Sequence, residues 1–142
     1  MYVDTAGMID RYGAIKLAQL TDRATPQTGT LDETVLAKAL ADAAATIHGY
    51  ARSAGYAVPF DPAPDMVAGW QACIAFYLLY RDEAPDKAKT DWQMALAQLK
   101  DLAAGKITLQ AAGAVAPAPA EGAAVLFTAG DRIMTGQGLK GF

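Results

Sequence analysis

Apolar residues recur at helical spacing through the middle of the chain. The clearest stripe consists of residues three or four positions apart, namely Leu36, Leu40, Ala43, Ile47, Tyr50 and Ala54. Such a stripe is typical of a helix with one buried face, here about six turns long. Asp32 or Thr30 can cap its start, and Gly55 can end it.

Further helices are predicted on both sides of this one. Residues 4–20 indicate two short helices separated at Gly13, and residues 86–104 indicate a last long helix that Gly105 closes. Its inward residues are Trp92, Ala95, Leu96, Leu99 and Leu102. After the proline-rich residues 58–64, one more helix is predicted with the buried stripe Met66, Trp70, Cys73, Ile74, Tyr77 and Leu78.

The sequence changes character after residue 110. Residues 111–124 are rich in Ala, Pro and Gly and show neither helical nor strand periodicity, so they predict a linker. Residues 125–142 contain short extended pieces separated by glycines. The predicted organisation is a helical bundle domain at 1–110, a linker at 111–124 and a C-terminal docking arm at 125–142. The predicted fold class is mainly α, a small bundle of about four to five helices with an extended C-terminal arm containing short β pieces.

The arm is unusually apolar for a chain terminus, which is normally polar and free. It carries Val125, Leu126, Phe127, Ile133, Met134, Leu139 and Phe142. It can fold back onto its own helices or dock on another chain, and both interpretations stay open. The long linker favours intermolecular docking, because a shorter one would reach the chain's own surface. The predicted partner-binding residues, for contact with another chain, are Phe127, Arg132, Ile133, Met134, Leu139, Lys140 and Phe142.

Composition narrows the functional classes. Apolar residues make up 53% of the chain and charged residues 19%, as expected for a globular core. The net charge is −3 and no basic stripe occurs, so DNA binding as a main function is not predicted. The longest apolar stretch, residues 72–80, is far shorter than the ~20 residues that span a bilayer, and no secretory signal is visible. A soluble, intracellular protein without a membrane partner is expected.

Catalytic chemistry has no support in the sequence. The chain has one histidine, His48, and one cysteine, Cys73, and a dyad would require both to face one cleft. Cys73 is predicted to be a buried, inert thiol and His48 a structural residue. No carboxylate cluster at metal-ligand spacing and no glycine-rich phosphate loop is present. The prediction is a protein that is not an enzyme and uses no cofactor or metal.

Short pieces along nearly the whole chain resemble the Mu-like phage head–tail connector, or adaptor, protein family. They lie at residues 8–13, 17–22, 39–43, 47–50, 56–59, 75–80, 99–105 and 131–135, and at the terminal Leu139-Lys140-Gly141-Phe142. Each piece is weak alone, whereas their order together is moderately specific.

The resemblance implies a structural protein of the virion neck, made in the host bacterial cytoplasm. By likeness to adaptors, it would form a homo-oligomeric ring of about twelve copies between the portal protein and the tail. The implied partners are the portal, a stopper or tail-completion protein, and further copies of the chain, while DNA passes through the channel without specific binding. Two alternatives stay open: another neck component, such as a stopper or tail-completion protein, or a small cytoplasmic helical binding module or regulator.

Overall fold

The computed structural model describes residues 1–109, and these residues are mainly α-helical. Five helices follow one another: α1 (Thr5–Tyr12), α2 (Ala14–Thr21), α3 (Glu33–Ser53), α4 (Asp65–Leu78) and α5 (Asp86–Ala103). Helices α3, α4 and α5 pack on one another, and α1 and α2 pack together and against α3. The predicted mainly α fold is confirmed. The predicted linker and arm lie outside the described residues.

The long helix α3 supplies the centre of the core. The Asp32 side chain accepts hydrogen bonds from the backbone N–H groups of Thr34 (2.9 Å) and Val35 (3.3 Å), so Asp32, and not Thr30, is the N-cap. The predicted stripe of α3 is buried except at Tyr50, which is half-buried. Gly55, with φ of 87°, follows the helix end as predicted.

Two short helices precede α3, and a glycine separates them. Gly13 has φ of 85°, a conformation that residues with a side chain rarely adopt, and its N–H donates to the carbonyl of Ile9. The boundary predicted at this residue is confirmed. Gly13 therefore ends α1 and allows α2 to start in a new direction.

The loop between α2 and α3 is held by two buried polar residues. The Thr21 hydroxyl donates to the Leu17 carbonyl (2.8 Å) and accepts from the N–H of Asp32 (3.0 Å). The Asp22 carboxylate accepts from the N–H of Gly29 at 2.6 Å and from the hydroxyl of Thr28 at 3.1 Å. Burial alone would raise the pKa of Asp22, but these hydrogen bonds outweigh it and lower that pKa.

The N-terminal segment is fixed to α4 through a glutamine. Gln71 is fully buried; its Oε1 accepts hydrogen bonds from the backbone N–H groups of Tyr2 and Val3, both at 2.8 Å. Its Nε2 donates to the Leu40 carbonyl of α3 at 2.9 Å. One side chain therefore links the chain start, α3 and α4.

The prediction for the buried side of α4 is partly wrong. Trp70 and Ile74 are buried, but Met66 and Leu78 are 47% and 41% exposed. The buried positions also include Val67, Gln71, Ala72 and Ala75. The helix is apolar on every side, so periodicity could not choose between its faces.

Candidate interaction surface

Helix α4 has an apolar outer side as well as an apolar inner side. Its only charged residue is Asp65, at the first helical position. The inner side packs on α3 and is buried. A helix that is apolar all round is typical of a helix covered on all sides. In the described part of the chain, the outer side of α4 is only partly covered.

We call this outer side the α4 face. Its members recur at spacings of three, four and seven, which places them on one side of a helix, and they are Met66, Gly69, Cys73, Phe76, Tyr77 and Tyr80. Met66 is exposed and the others are half-buried. Tyr80 stands just beyond the helix end. A β-carbon added at Gly69 would meet no atom within 4 Å, so the space above this glycine is open.

Aromatic stacking joins the α4 face to its neighbours on both sides. Tyr12 of α1 stacks on Phe76 with ring centroids 3.9 Å apart and an interplanar angle of 3°. Trp92 of α5 stacks on Tyr77 at 4.2 Å and 8°. Phe76 and Tyr80 meet edge to face at 5.4 Å. Stacked rings of this kind fix one another's orientation, so the face is a pre-formed surface.

The single thiol of the chain lies in this face. The Tyr12 hydroxyl donates to the Cys73 Sγ at 3.9 Å, a long and weak contact. Burial raises the pKa of Tyr12, and the neighbouring Cys73 raises it further, so Tyr12 stays neutral and acts as a donor. Cys73 is half-buried and so is less buried than the sequence predicted.

Charged residues stand at the rim of the face. The Lys16 ammonium lies 5.6 Å from the centroid of the Tyr80 ring, within the range of a cation–π contact. On α5, Lys87 and Asp91 form an exposed ion pair at 2.8 Å. Exposed pairs contribute little to stability, so their main effect here is to keep the rim hydrated.

His48 lies in a different environment from Cys73. Its Nε2 is 2.6 Å from the Tyr2 hydroxyl, and that hydroxyl accepts the N–H of Phe60 at 3.1 Å. The Tyr2 proton is therefore available to His48, which accepts it in the neutral form. Burial lowers the pKa of His48, and the positive charge of Arg52 lowers it further. His48 joins the N-terminal segment to α3 and forms no dyad with Cys73.

Residues 1–109 contain no cluster of three or more His, Cys, Asp or Glu side chains that could hold a metal ion. Among the same residues, no helix is long and apolar enough to cross a membrane.

The partner-binding residues predicted from sequence all fall after residue 109, outside the described part of the chain. They are Phe127, Arg132, Ile133, Met134, Leu139, Lys140 and Phe142. Their role stays a prediction. Sequence reasoning missed the α4 face, because it assigned Met66, Cys73 and Tyr77 to the core. The available signal was the near absence of charge along α4.

The chain was compared with known protein families. Residues 2–127 match the family described as "Bacteriophage Mu, Gp36". The chain belongs to this family. A relative in Haemophilus influenzae (strain ATCC 51907 / DSM 11121 / KW20 / Rd), the Mu-like prophage FluMu protein gp36, is 30% identical over 109 residues. That match covers 77% of this chain and 75% of the relative.

Membership of the Gp36 family makes this a protein of Mu-like phages, and it indicates a structural or morphogenetic role. The predicted resemblance to a Mu-like phage family is thereby confirmed at the level of the family. The match reaches residue 127 and so includes all five helices and the predicted linker.

Proposed function

We propose that the chain is a structural subunit of the phage neck that assembles into a ring between the portal protein and the tail. The observation that carries the proposal is the α4 face: an apolar, pre-ordered surface on a bundle from a phage protein family. Apolar patches rimmed by polar residues are typical of protein–protein contacts. A subunit with such a surface is suited to assembly.

A ring requires each copy to present two different surfaces, one of which binds the next copy. The described residues offer two helix sides that point in opposite directions. The buried sides of α3 and α4 pack against each other, so the α4 face and the solvent side of α3 lie on opposite sides of the bundle. The α4 face can therefore receive a contact from one neighbour while the opposite side of the bundle stays free for another.

The arm at 125–142 supplies a contact with a neighbouring molecule in this proposal. We assign it docking on the portal or on a neighbouring subunit through the apolar residues predicted above, Phe142 and Leu139 among them. A tethered second contact raises the overall affinity without enlarging the domain. The proposed neighbours are the portal on one side and a stopper or tail-completion protein on the other, and DNA passes through without specific binding.

The test uses the full-length chain mixed with the portal of the same phage. Native mass measurement and electron microscopy should show a monomer or loose oligomer for the chain alone and a closed ring on the portal for the mixture. Replacing Leu139 and Phe142 with Asp should abolish the portal complex. Replacing Ala116 and Ala118 in the predicted linker with Asp is the matched control and should leave it intact.

The result also separates the alternatives. A chain that binds only the tail-side component would be a stopper or tail-completion protein. A chain that binds neither neck component and is absent from purified particles would be a cytoplasmic module, and the proposal would be wrong. A non-enzymatic role is part of the proposal, and replacing His48 with Gln should leave particle infectivity unchanged.

A further inference from the structure

We infer that the α4 face is the receptor for the C-terminal arm, residues 125–142, of a neighbouring copy of the chain. The inference rests on the proposed function, because it assigns a surface and an occupant to one contact of the proposed ring. It names the α4 face on one copy and the apolar residues of the arm on the next.

The α4 face is apolar in its chemistry. Apart from the terminal Asp65, α4 offers no charged side chain, and its outer side presents aromatic rings, a thioether and a thiol. Such a surface binds apolar side chains best, because their association removes apolar area from water on both partners. The arm contains large apolar residues that suit it, namely Val125, Leu126, Phe127, Ile133, Met134, Leu139 and Phe142.

The open part of the α4 face lies toward the start of the helix. Gly69 leaves an open position there, and Tyr12 and Trp92 cover the other end of the face, where they stack on Phe76 and Tyr77. We call the outer side of α4 between Met66 and these two rings the furrow. From Met66 to Cys73 the helix rises about 10 Å. A segment of three to four extended residues spans about that length.

The chain leaves the helical domain at a fixed position after Leu109. The N–H of Leu109 donates to the Tyr56 hydroxyl at 3.1 Å, and Leu109 is buried. The Tyr56 ring meets Phe60 edge to face in the connection between α3 and α4. The chain therefore leaves the described domain at the end where α4 starts, close to one end of its own furrow.

The distance between that exit and the arm favours a neighbouring copy. If the arm bound its own α4, a few residues after Leu109 would bring it into the furrow. The sequence instead inserts residues 111–124, rich in Ala and Pro, which can span up to about 50 Å when extended. A span of this size crosses to the next subunit of a ring, whose bundle is about as wide as a small domain, roughly 30 Å.

A cysteine-pairing experiment tests this inference in the full-length chain. One chain carries Cys73→Ser with Gly69→Cys, and a second, size-tagged chain carries Cys73→Ser with Leu139→Cys. The two chains are mixed with and without the portal and oxidised mildly. The expected product is a disulfide-linked pair of the two chains, about tenfold or more above the control because docking creates a high effective concentration.

The matched control is Gly49→Cys in place of Gly69→Cys. Gly49 is also a helical glycine with open space at its β-carbon, but it lies on the solvent side of α3. Equal cross-linking at Gly49 and Gly69 would overturn the inference. So would a chain carrying both Gly69→Cys and Leu139→Cys that closes an internal disulfide at high dilution, since the arm would then bind its own furrow.

A second pair of variants tests the surface without cross-linking. Gly69→Arg should weaken self-assembly by about tenfold or more, because it places a charge in the furrow, whereas Gly49→Arg should have little effect. Both remove a glycine from a helix interior, so both should melt at or above the temperature of the unmodified chain. Equal loss in both variants would indicate that α3 and α4 of adjacent copies meet directly, and would overturn the inference.

Failure of this inference is distinguishable from failure of the proposed function. Each mixture is also examined by native mass measurement for a ring on the portal. A ring without cross-linking at Gly69 overturns the receptor role of the α4 face and leaves the neck role standing. Cross-linking between copies without any portal complex supports the receptor role and contradicts the neck role.

Discussion

Gln71 is the buried polar residue on which the attachment of the N-terminal segment depends, and Gln71→Leu should destabilise the protein strongly. Leucine is close in size but removes the acceptor of two N–H groups, those of Tyr2 and Val3. A buried donor left without an acceptor costs about 1–3 kcal/mol. The segment can avoid that cost by detaching, which gives up the burial of Val3, now 7% exposed.

The expected loss of stability is set by whichever of these two responses costs less free energy. Detachment loses the hydrogen bonds from Tyr2 and Val3 and one buried valine, and the substitution also removes the hydrogen bond from the Gln71 Nε2 to the Leu40 carbonyl. Gln71→Leu should therefore lower the free energy of unfolding by about 3–5 kcal/mol. The domain should remain folded, because single domains have about 5–15 kcal/mol of stability. Urea denaturation followed by tryptophan fluorescence measures the loss, and hydrogen exchange of the N-terminal peptide reports detachment directly.

Gln98→Leu is the matched control for this experiment. The same substitution is made at Gln98, which is half-buried. The Oε1 of Gln98 accepts a single hydrogen bond, from the Trp70 Nε1–H at 2.7 Å. Its loss should cost about 1 kcal/mol. The reasoning is refuted if the two variants are equally stable, or if the amides of Tyr2 and Val3 in Gln71→Leu exchange as slowly as in the unmodified chain.

Three further predictions concern stability. Because the pKa of His48 is lowered in the folded state, the unfolded chain binds the proton more readily, and the free energy of unfolding should fall as the pH drops below 6.5. His48→Gln should flatten this slope in urea titrations between pH 7 and 5.5. Thr21→Val keeps the shape of a fully buried side chain but removes a hydroxyl with two partners, and should cost about 1–3 kcal/mol in the same assay. Gly105→Ala should lower the melting temperature because φ is 76° there, whereas Gly49→Ala should raise it by removing a glycine from a helix. A rise for Gly105→Ala or a fall for Gly49→Ala would contradict the backbone assignment.

The sequence predicted the helices well because their signals are local. Asp32 precedes α3 by one residue, Gly13 separates α1 from α2, and Gly105 follows α5. Each acts on the backbone within a few positions, so it can be identified without knowing the fold. The stripe of α3 was equally clear, because small or polar residues occupy its other side.

The candidate site was harder to predict because its signals are not local. Helix α4 has apolar residues on every side, and only its contact with α3 decides which side is inner. The same holds for Gln71, whose partners at Tyr2 and Leu40 are far away in sequence. The arm could be recognised only by its composition, which does not specify what it binds.

The hydrogen bond between Leu109 and Tyr56 has a mechanical consequence. Tension on the C-terminal chain would reach this contact before it reaches the last turn of α5, and would be transmitted in part to the loop after α3. Tyr2 also bonds to Phe60 in that loop, which gathers the first residues and the exit of the chain at one end of the domain. In the proposed ring, every subunit would present its tether from the same fixed origin, and strain from the tail would be borne at a single point per copy.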